Sequence, residues 1–400
     1  MGFLSRLAAS SVACLLASSA FAQCGVGDFD HSGLVDGADL GALLAGWSQP
    51  GPWDLDGSGA VDGADLGILL ASWGEVTLDA GVFPAQWISG GLNCPTETKI
   101  QVHAFNDGMT ILRQSLCTNF EAPFMTILFG TQKALMMDSG AGNIPINATT
   151  QAVVTAWAAG NGLPPLQLVV AHTHGHGDHV AGNAQFSGQP NTVVVGNSQA
   201  AVKAFFGITN WPTQIVQYDL GNRIVDIIPI PGHQSAHIAF YDRQTGILFT
   251  GDTLYPGRLY ISNFDEYLVS IDRLVEFVAD KPVCWILGTH IEMSKTPGVD
   301  FPIGSTGHPN EHALQLTKDH LLELQAALQA MKGNPHYEVH DDFIIFPLNL
   351  PQQANGGAGD GDGEDPDACC DRPKTAFELR RVMRRGASAA PTGSSAGADS

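Results

Sequence analysis

From Val82 onward the chain alternates short apolar runs with polar, glycine-rich breaks. "KIQVHAF", "FMTILFG", "KALMMDSG", "LQLVVAHTH", "NTVVVGN", "RIVDIIPIPG", "HIAFYD", "GILFTGD" and "VCWILGTH" are each the length of a strand and bounded by Gly, Pro, Asn or Asp. "ATTQAVVTAWAAGNG" and "FDEYLVSIDRLVEFVADK" between them are helical in character, as is "NEHALQLTKDHLLELQAALQAMKGN" near the end, before a last strand, "DDFIIFPLNL". Strands alternating with helices, with hairpins first, predict an α/β layered domain over residues 76–350. Ahead of it, Leu40, Leu43, Leu44 and Trp47 fall at helical spacing, as do Leu66, Leu69, Leu70 and Trp73; both sets are expected to face a core. After Pro351 the composition collapses to Gly, Asp, Ala and Ser. Residues 351–400 therefore read as a disordered tail, in which the basic "FELRRVMRRG" is assigned no function.

The start, "MGFLSRLAASSVACLLASSAFAQC", has a basic Arg6, an apolar run and the small-x-small triplet Ala20-Phe21-Ala22. This is the pattern of a secretory signal, 1–22, cleaved after Ala22. No other segment is apolar for long enough to predict a membrane span. The mature protein is therefore expected outside the cytoplasm, secreted or in the cell envelope. Of seven cysteines, none shows the paired spacing of a metal site. Cys94 and Cys117 could pair across a hairpin, and Cys284 sits in an apolar strand. A formal charge of −21 argues against nucleic acid as a partner, because a polyanion would be repelled.

Two segments near the start repeat each other: "GDFDHSGLVDGADLGALLAGWS" and "WDLDGSGAVDGADLGILLASWG", with a period of 26 residues. Each places oxygen-bearing side chains at loop positions 1, 3, 5, 9 and 12 and a glycine at position 6. A hard cation takes about six to eight oxygens, and a loop of this length wraps it only by turning sharply at the glycine. Asp in place of Glu at position 12, followed by the "ADLGALLAGW" helix, makes residues 24–75 resemble a dockerin-like double EF-hand. That resemblance implies a small all-α domain binding two Ca²⁺. The ligands would be Asp28, Asp30, Ser32, Asp36 and Asp39 in the first loop, and Asp54, Asp56, Ser58, Asp62 and Asp65 in the second. It also implies a possible protein partner; a Ca²⁺-stabilised spacer is an equal reading.

The densest chemistry is "VVAHTHGHGDHVAGN". Alternation along an extended segment sends His174 and His176 to one side. A turn permitted by Gly175 and Gly177 then presents Asp178 and His179. Two imidazoles beside a carboxylate and a third imidazole suit two adjacent metals. His172 is left over and reads as a packed strand histidine. Further candidates stand at strand ends: His233 in "PIPGHQSAH", Asp252 in "LFTGDTLY" and His290 in "WILGTHIE", with Asp138 in "ALMMDSGAG" suited to orienting a ligand.

This order of motifs resembles the metallo-β-lactamase superfamily over about residues 95–345, and within it the glyoxalase II-like hydrolases, because Asp252 stands where the β-lactamases have Cys. The resemblance implies an αββα sandwich with the metals at one edge. His174, His176 and His233 would hold one metal, Asp178, His179 and His290 the other, and Asp252 would bridge them. Two Zn²⁺, with iron or manganese as alternatives, would lower the pKa of a shared water to about 7, and Asp178 and Asp252 would orient it for attack on an ester, thioester, lactone or amide of a small-molecule substrate. Rival readings are a sulfur dioxygenase-like enzyme with one iron, and a non-catalytic Ca²⁺-dependent attachment protein. Tyr255, Arg258 and Tyr260 follow Asp252 closely and could reach substrate, with surface packing the expected account of any one of them; His237 is expected in a structural or substrate-facing place, and "GVDFPIGSTGHPNEHALQL" is a candidate lid containing His308 and His312.

Overall fold

The computed structural model describes residues 27, 29, 34–51, 53–56, 58–75, 78–79 and 81–349. The expected export signal, Cys24, the first-loop residues Asp28, Asp30 and Ser32, and the 351–400 tail with Cys369 and Cys370 lie outside them. Among the described residues no helix is long and apolar enough to cross a membrane.

The repeat region holds β1 (Leu34–Val35), α1 (Gly37–Ala45), α2 (Gly63–Ala71) and β2 (Gly74–Glu75). It is not purely helical: β1 and β2 pair antiparallel, Leu34 opposite Glu75, because the extended residues flanking the helices need backbone partners. Val35, Leu43, Val61 and Leu69 form its core. Leu44, Trp47, Leu70 and Trp73 do not join it; they are 50, 41, 52 and 49% exposed. Each helix has nine residues, and one step beyond Leu43 or Leu69 turns the side chain about 100° away from the partner helix.

The larger region opens with the hairpin β3 (Ile100–Asn106) and β4 (Met109–Gln114), then β5 (Phe124–Phe129) and β6 (Lys133–Met137). The helix α3 (Ile146–Gly160) crosses to β7 (Gln167–Ala171), and the short helices α4 (Gly177–Val180) and α5 (Asn183–Phe186) lead to β8 (Thr192–Val194). After α6 (Gln199–Phe206) come β9 (Val216–Asp219), β10 (Ile224–Pro229), β11 (Ile238–Asp242) and β12 (Ile247–Gly251). The chain continues through β13 (Arg258–Ile261), α7 (Phe264–Phe277), β14 (Trp285–Gly288), β15 (Gln315–Leu316), α8 (Lys318–Ala330), β16 (Glu338–Val339) and β17 (Ile344–Pro347).

One six-stranded sheet runs β3-β4-β5-β6-β7-β8 and another β15-β14-β12-β11-β10-β9; β13, β17 and β16 form a third. Side chains of both large sheets meet in one core, with Ile111, Leu128 and Val169 from the first against Ile227, Phe240 and Phe249 from the second. The outer face of the first packs on α3 through Met136, Val154 and Ala158, and that of the second on α7 and α8 through Leu248, Ile271 and Leu324. The layering is α, β, β, α. Covered on both faces, β4 and β5 are buried at every residue, which is why they read as unbroken apolar runs without alternation. A disulfide joins Cys94 to Cys117, and Cys284 is free and buried.

Candidate metal centre

The loops that leave β7, β10, β12 and β14 converge at one edge of the layers, as loops carried on a rigid frame often do. β7 delivers His174 and His176. His176 then caps the short α4, which carries Asp178 and His179. His233 follows β10 through Gly232, where the chain passes so close to α7 that a Cβ would sit 2.4 Å from the backbone of Tyr267; only glycine fits. Asp252 follows β12 and His290 follows β14, whose ends pair Gly251 with Gly288.

The structure brings the seven residues together in two groups. Ligand atoms of His174, His176 and His233 lie within 4.8 Å of one another, and so do those of Asp178, His179, Asp252 and His290. Asp252 stands between them. Its Oδ2 is 3.9 Å from His174 Nε2 and 3.7 Å from His233 Nε2, while its Oδ1 is 3.4 Å from His179 Nε2 and 3.3 Å from His290 Nε2. Asp178 Oδ2 approaches the same two nitrogens at 3.5 and 3.3 Å.

Hydrogen bonds on the far side of each ring decide which nitrogen faces inward. His233 Nδ1 donates to the Tyr260 carbonyl at 2.6 Å, His290 Nδ1 to the Glu121 carbonyl at 2.8 Å, and His179 Nδ1 to Asp138 Oδ2 at 3.0 Å. In each ring this turns Nε2 to the centre: that of His233 toward His174 and His176, those of His179 and His290 toward the carboxylates of Asp178 and Asp252. There, three ring nitrogens crowd together: His174 Nε2 is 2.8 Å from His176 Nδ1, and His233 Nε2 is 3.2 and 3.1 Å from those two. Nε2 of His179 and of His290 is buried without a hydrogen-bond partner. Lone pairs aimed at lone pairs repel, and a cation between them removes the repulsion. The donor set, imidazole and carboxylate, is the one that zinc and similar ions take, so these residues fit a metal pair.

The electrostatics differ between the groups. Burial pulls the pKa of His174 and His233 down, and brings His176 to about 3. Burial acts likewise on His179 and His290, but the carboxylates of Asp252 and Asp178 outweigh it and hold both well above the ordinary value. In return, although burial opposes it, His179 and His290 keep Asp178 and Asp252 well below the usual carboxylate range.

Asp138 is fully buried at a positive φ of 63°. Besides holding His179, it accepts the N–H of Thr173 at 2.8 Å and its hydroxyl at 2.9 Å. His172 lies buried 3.8 Å from Asp138, outside both groups. His237, fully buried, stacks on His174 with ring centroids 4.6 Å apart. Two further participants have only a faint sequence signal, a threonine directly before a ligand. Thr173 braces His174, and the Thr289 hydroxyl donates to Asp252 Oδ1. Tyr255 and Arg258 are not surface residues, being 1 and 2% exposed. The Tyr255 ring packs 5.6 Å from His290, and Arg258 binds Glu292, Asp300 and the Phe301 carbonyl, because an apolar pocket tolerates a guanidinium only when paired. The segment expected as a lid is fastened down. Glu311 takes two bonds from the buried Arg113 and one from His308, whose ring stacks on Phe301.

In the second repeat loop Asp54, Asp56 and Asp65 come within 4.8 Å of one another. Asp62 caps α2, as Asp36 caps α1, and Asp39 and Asp65 complete these capping boxes. The Ser58 hydroxyl turns to the Ala60 carbonyl.

Residues 119–290 match the family model of the metallo-beta-lactamase superfamily. Among curated proteins, a hydroxyacylglutathione hydrolase of Rhizobium meliloti (strain 1021) is 32% identical over 114 residues, 28% of this chain and 44% of that protein. An acyl-coenzyme A thioesterase of Gallus gallus is 27% identical over 198 residues, 41% of this chain and 70% of that protein. The chain thus spans less than half the length of the first of these relatives. Among solved structures, a metallo-beta-lactamase from Pontibacter korlensis is 17% identical, covering 57% of this chain and 99% of that one with a TM-score of 0.39.

Proposed function

We propose that the protein is a metal-dependent hydrolase of carboxylic esters or thioesters, with lactones and amides as neighbouring substrates, working through two zinc ions. The observation that carries this reading is Asp252, with one carboxylate oxygen toward His174 and His233 and the other toward His179 and His290. One carboxylate between two complete donor groups suits a pair of ions better than a single iron. The names of two relatives, a hydroxyacylglutathione hydrolase and an acyl-coenzyme A thioesterase, favour an acyl group as substrate.

Bound zinc supplies Lewis acidity to the scissile carbonyl and acidifies a water. The chain's own residues do the rest. His174, His176 and His233 would hold one ion, and Asp178, His179 and His290 the other. Asp138 and the carbonyls of Glu121 and Tyr260 fix the rings so that Nε2 of each faces inward. Asp178 and Asp252, held as anions, accept hydrogen bonds from the attacking water and orient it, so the reaction needs no serine or cysteine nucleophile.

The test is metal analysis of the purified chain together with turnover of nitrophenyl esters, thioesters and lactones, with His176→Ala as control. Two zinc per domain and turnover lost in the variant are expected. One iron per chain, or a variant as active as the parent, would sink the proposal.

Two finer readings accompany it. The second repeat loop takes Ca²⁺ through Asp54, Asp56 and Asp65, supported by their proximity, and the Asp28–Asp39 loop does the same by its identical spacing; a dockerin-type protein partner is the corresponding proposal for this unit. Export to an oxidising compartment is supported by the Cys94–Cys117 disulfide. Comparing the mature N-terminus with Gln23 tests the latter.

A further inference from the structure

A groove of about 400 Å³ is walled in part by the loop that carries His233, and its volume is within the size range of small-molecule pockets. Pro231 and Ser235, in its wall, are each two residues from His233, so their Cα atoms lie within about 7 Å of that ligand's. A second connection runs through Gly175, between His174 and His176. A Cβ there would be 3.1 Å from the Asn197 carbonyl and 3.5 Å from Gln234 Nε2, and Gln199 and Ser235, the continuations of those two segments, line the groove. His176 is the partly exposed member of its group. The groove therefore borders the loop that carries His233, and that loop meets the His174–His176 segment at Gly175.

The wall is mostly apolar, with Trp211, Pro212 and Pro231 facing Val269. Val269 is 54% exposed on α7, a helix pinned in place where the Ser270 hydroxyl donates to the Pro231 carbonyl at 2.6 Å and Arg273 to the Pro229 carbonyl at 3.0 Å. That bond turns the one cation of the lining toward the backbone. Two exposed carboxylates, Asp265 and Glu266, stand on the same wall in the first turn of α7. An anionic group entering here meets two carboxylates against the single guanidinium of Arg273.

We propose that this groove receives the acyl arm of the substrate, and that the arm is neutral and apolar, an alkyl chain of several carbons or a phenyl ring. The assignment rests on the hydrolase reading, since it needs a carbonyl at the centre from which the arm departs.

The test uses the zinc-loaded full chain with 4-nitrophenyl acetate, butyrate and hexanoate, and with the mono-4-nitrophenyl ester of adipic acid, whose arm ends in a carboxylate. kcat/KM is expected to rise roughly fourfold per buried methylene, and the adipate ester to fall at least about tenfold below the hexanoate. Val269→Trp, at an exposed site where folding is not at stake, is expected to bring the hexanoate-to-acetate ratio near one. Glu266→Lys is expected to raise the adipate-to-hexanoate ratio. Saturation-transfer NMR with hexanamide reads the groove without turnover, and its signal is expected to vanish in Val269→Trp. Absence of zinc-dependent turnover removes the hydrolase reading, and the hexanamide signal then decides the groove: lost in the variant supports it, absent from the parent overturns it. Turnover with a flat chain-length profile, or with a rise that survives Val269→Trp, overturns the groove assignment and leaves the hydrolase standing.

Discussion

Two places in this chain gather side chains that suit cations, and they stand in opposite condition. In the second repeat loop the carboxylates are already occupied. Asp65 accepts from the N–H groups of Leu55, Asp56 and Asp62, and Asp54 from those of Ser58 and Gly59. At the strand ends, Nε2 of His179 and His290 is buried with no hydrogen bond, only the approach of the Asp178 and Asp252 carboxylates, and three further imidazole nitrogens crowd within 3.2 Å. The loop is braced by its own backbone, so an ion adds to a structure that largely stands. The centre is braced from behind, so the inward-facing atoms are left for something else to satisfy. Where a site's hydrogen bonds point tells more about its need for an ion than how many acids it contains.

The sharpest way to break this contrast is to delete an inward donor. His290→Ala is expected to lower kcat/KM by more than about a hundredfold, an effect at least as large as losing one preorganised active-site donor, with less zinc retained on dialysis; near-parental kinetics would erase the distinction. Deleting a brace should cost less. Asp138→Asn keeps every donor but loosens His179, and zinc affinity is expected to weaken about 10- to 100-fold in competition with a chromophoric chelator.

Acid separates the regions next. His172 and His176 are held at about 4 and about 3 in the folded chain, while an unfolded histidine titrates near 6.5. A depressed folded pKa means that unfolding takes up protons, so stability present above pH 6.5 is lost as the pH falls toward about 4. His179 and His290 act in the opposite sense, but His174, His233 and His237 join the first two. The zinc-free chain is therefore expected to melt several degrees lower at pH 5 than at pH 7, a result that a melting point unchanged or raised at pH 5 would contradict. The smallest effect belongs to the loop. Calcium removal by EGTA, followed by re-addition of zinc, is expected to shift the melting of the repeat unit by a few degrees and leave turnover within about twofold, whereas 1,10-phenanthroline abolishes turnover. A collapse of activity with EGTA that re-added zinc does not restore would mean that the two regions are coupled.

The residues of the two groups were legible because each stands in a short signature at the end of an apolar run, and the layered architecture because those runs alternate with helices. What stayed hidden depends on neighbours distant in the chain. Arg113 and Glu311 are 198 residues apart, and no local pattern links them. Periodicity placed Leu44 and Trp47 on a helix but could not say that a nine-residue helix would cover only the face of Leu43. His237 carried no mark distinguishing a ring that stacks on a ligand from one that is a ligand. The candidate lid carries no local sign of its anchorage, because the arginines that hold it come from β4 and β13.

That anchorage has a consequence for catalysis. With Arg113 clamped on Glu311, His308 stacked on Phe301 and Arg258 gripping the carbonyl beneath, the roof beyond His290 cannot swing without breaking paired charges in an apolar setting. Turnover by such an enzyme would be paced by bond cleavage or by diffusion through a permanently open doorway. Its tastes would then shift through the side chains around that doorway, with the main chain staying where it is.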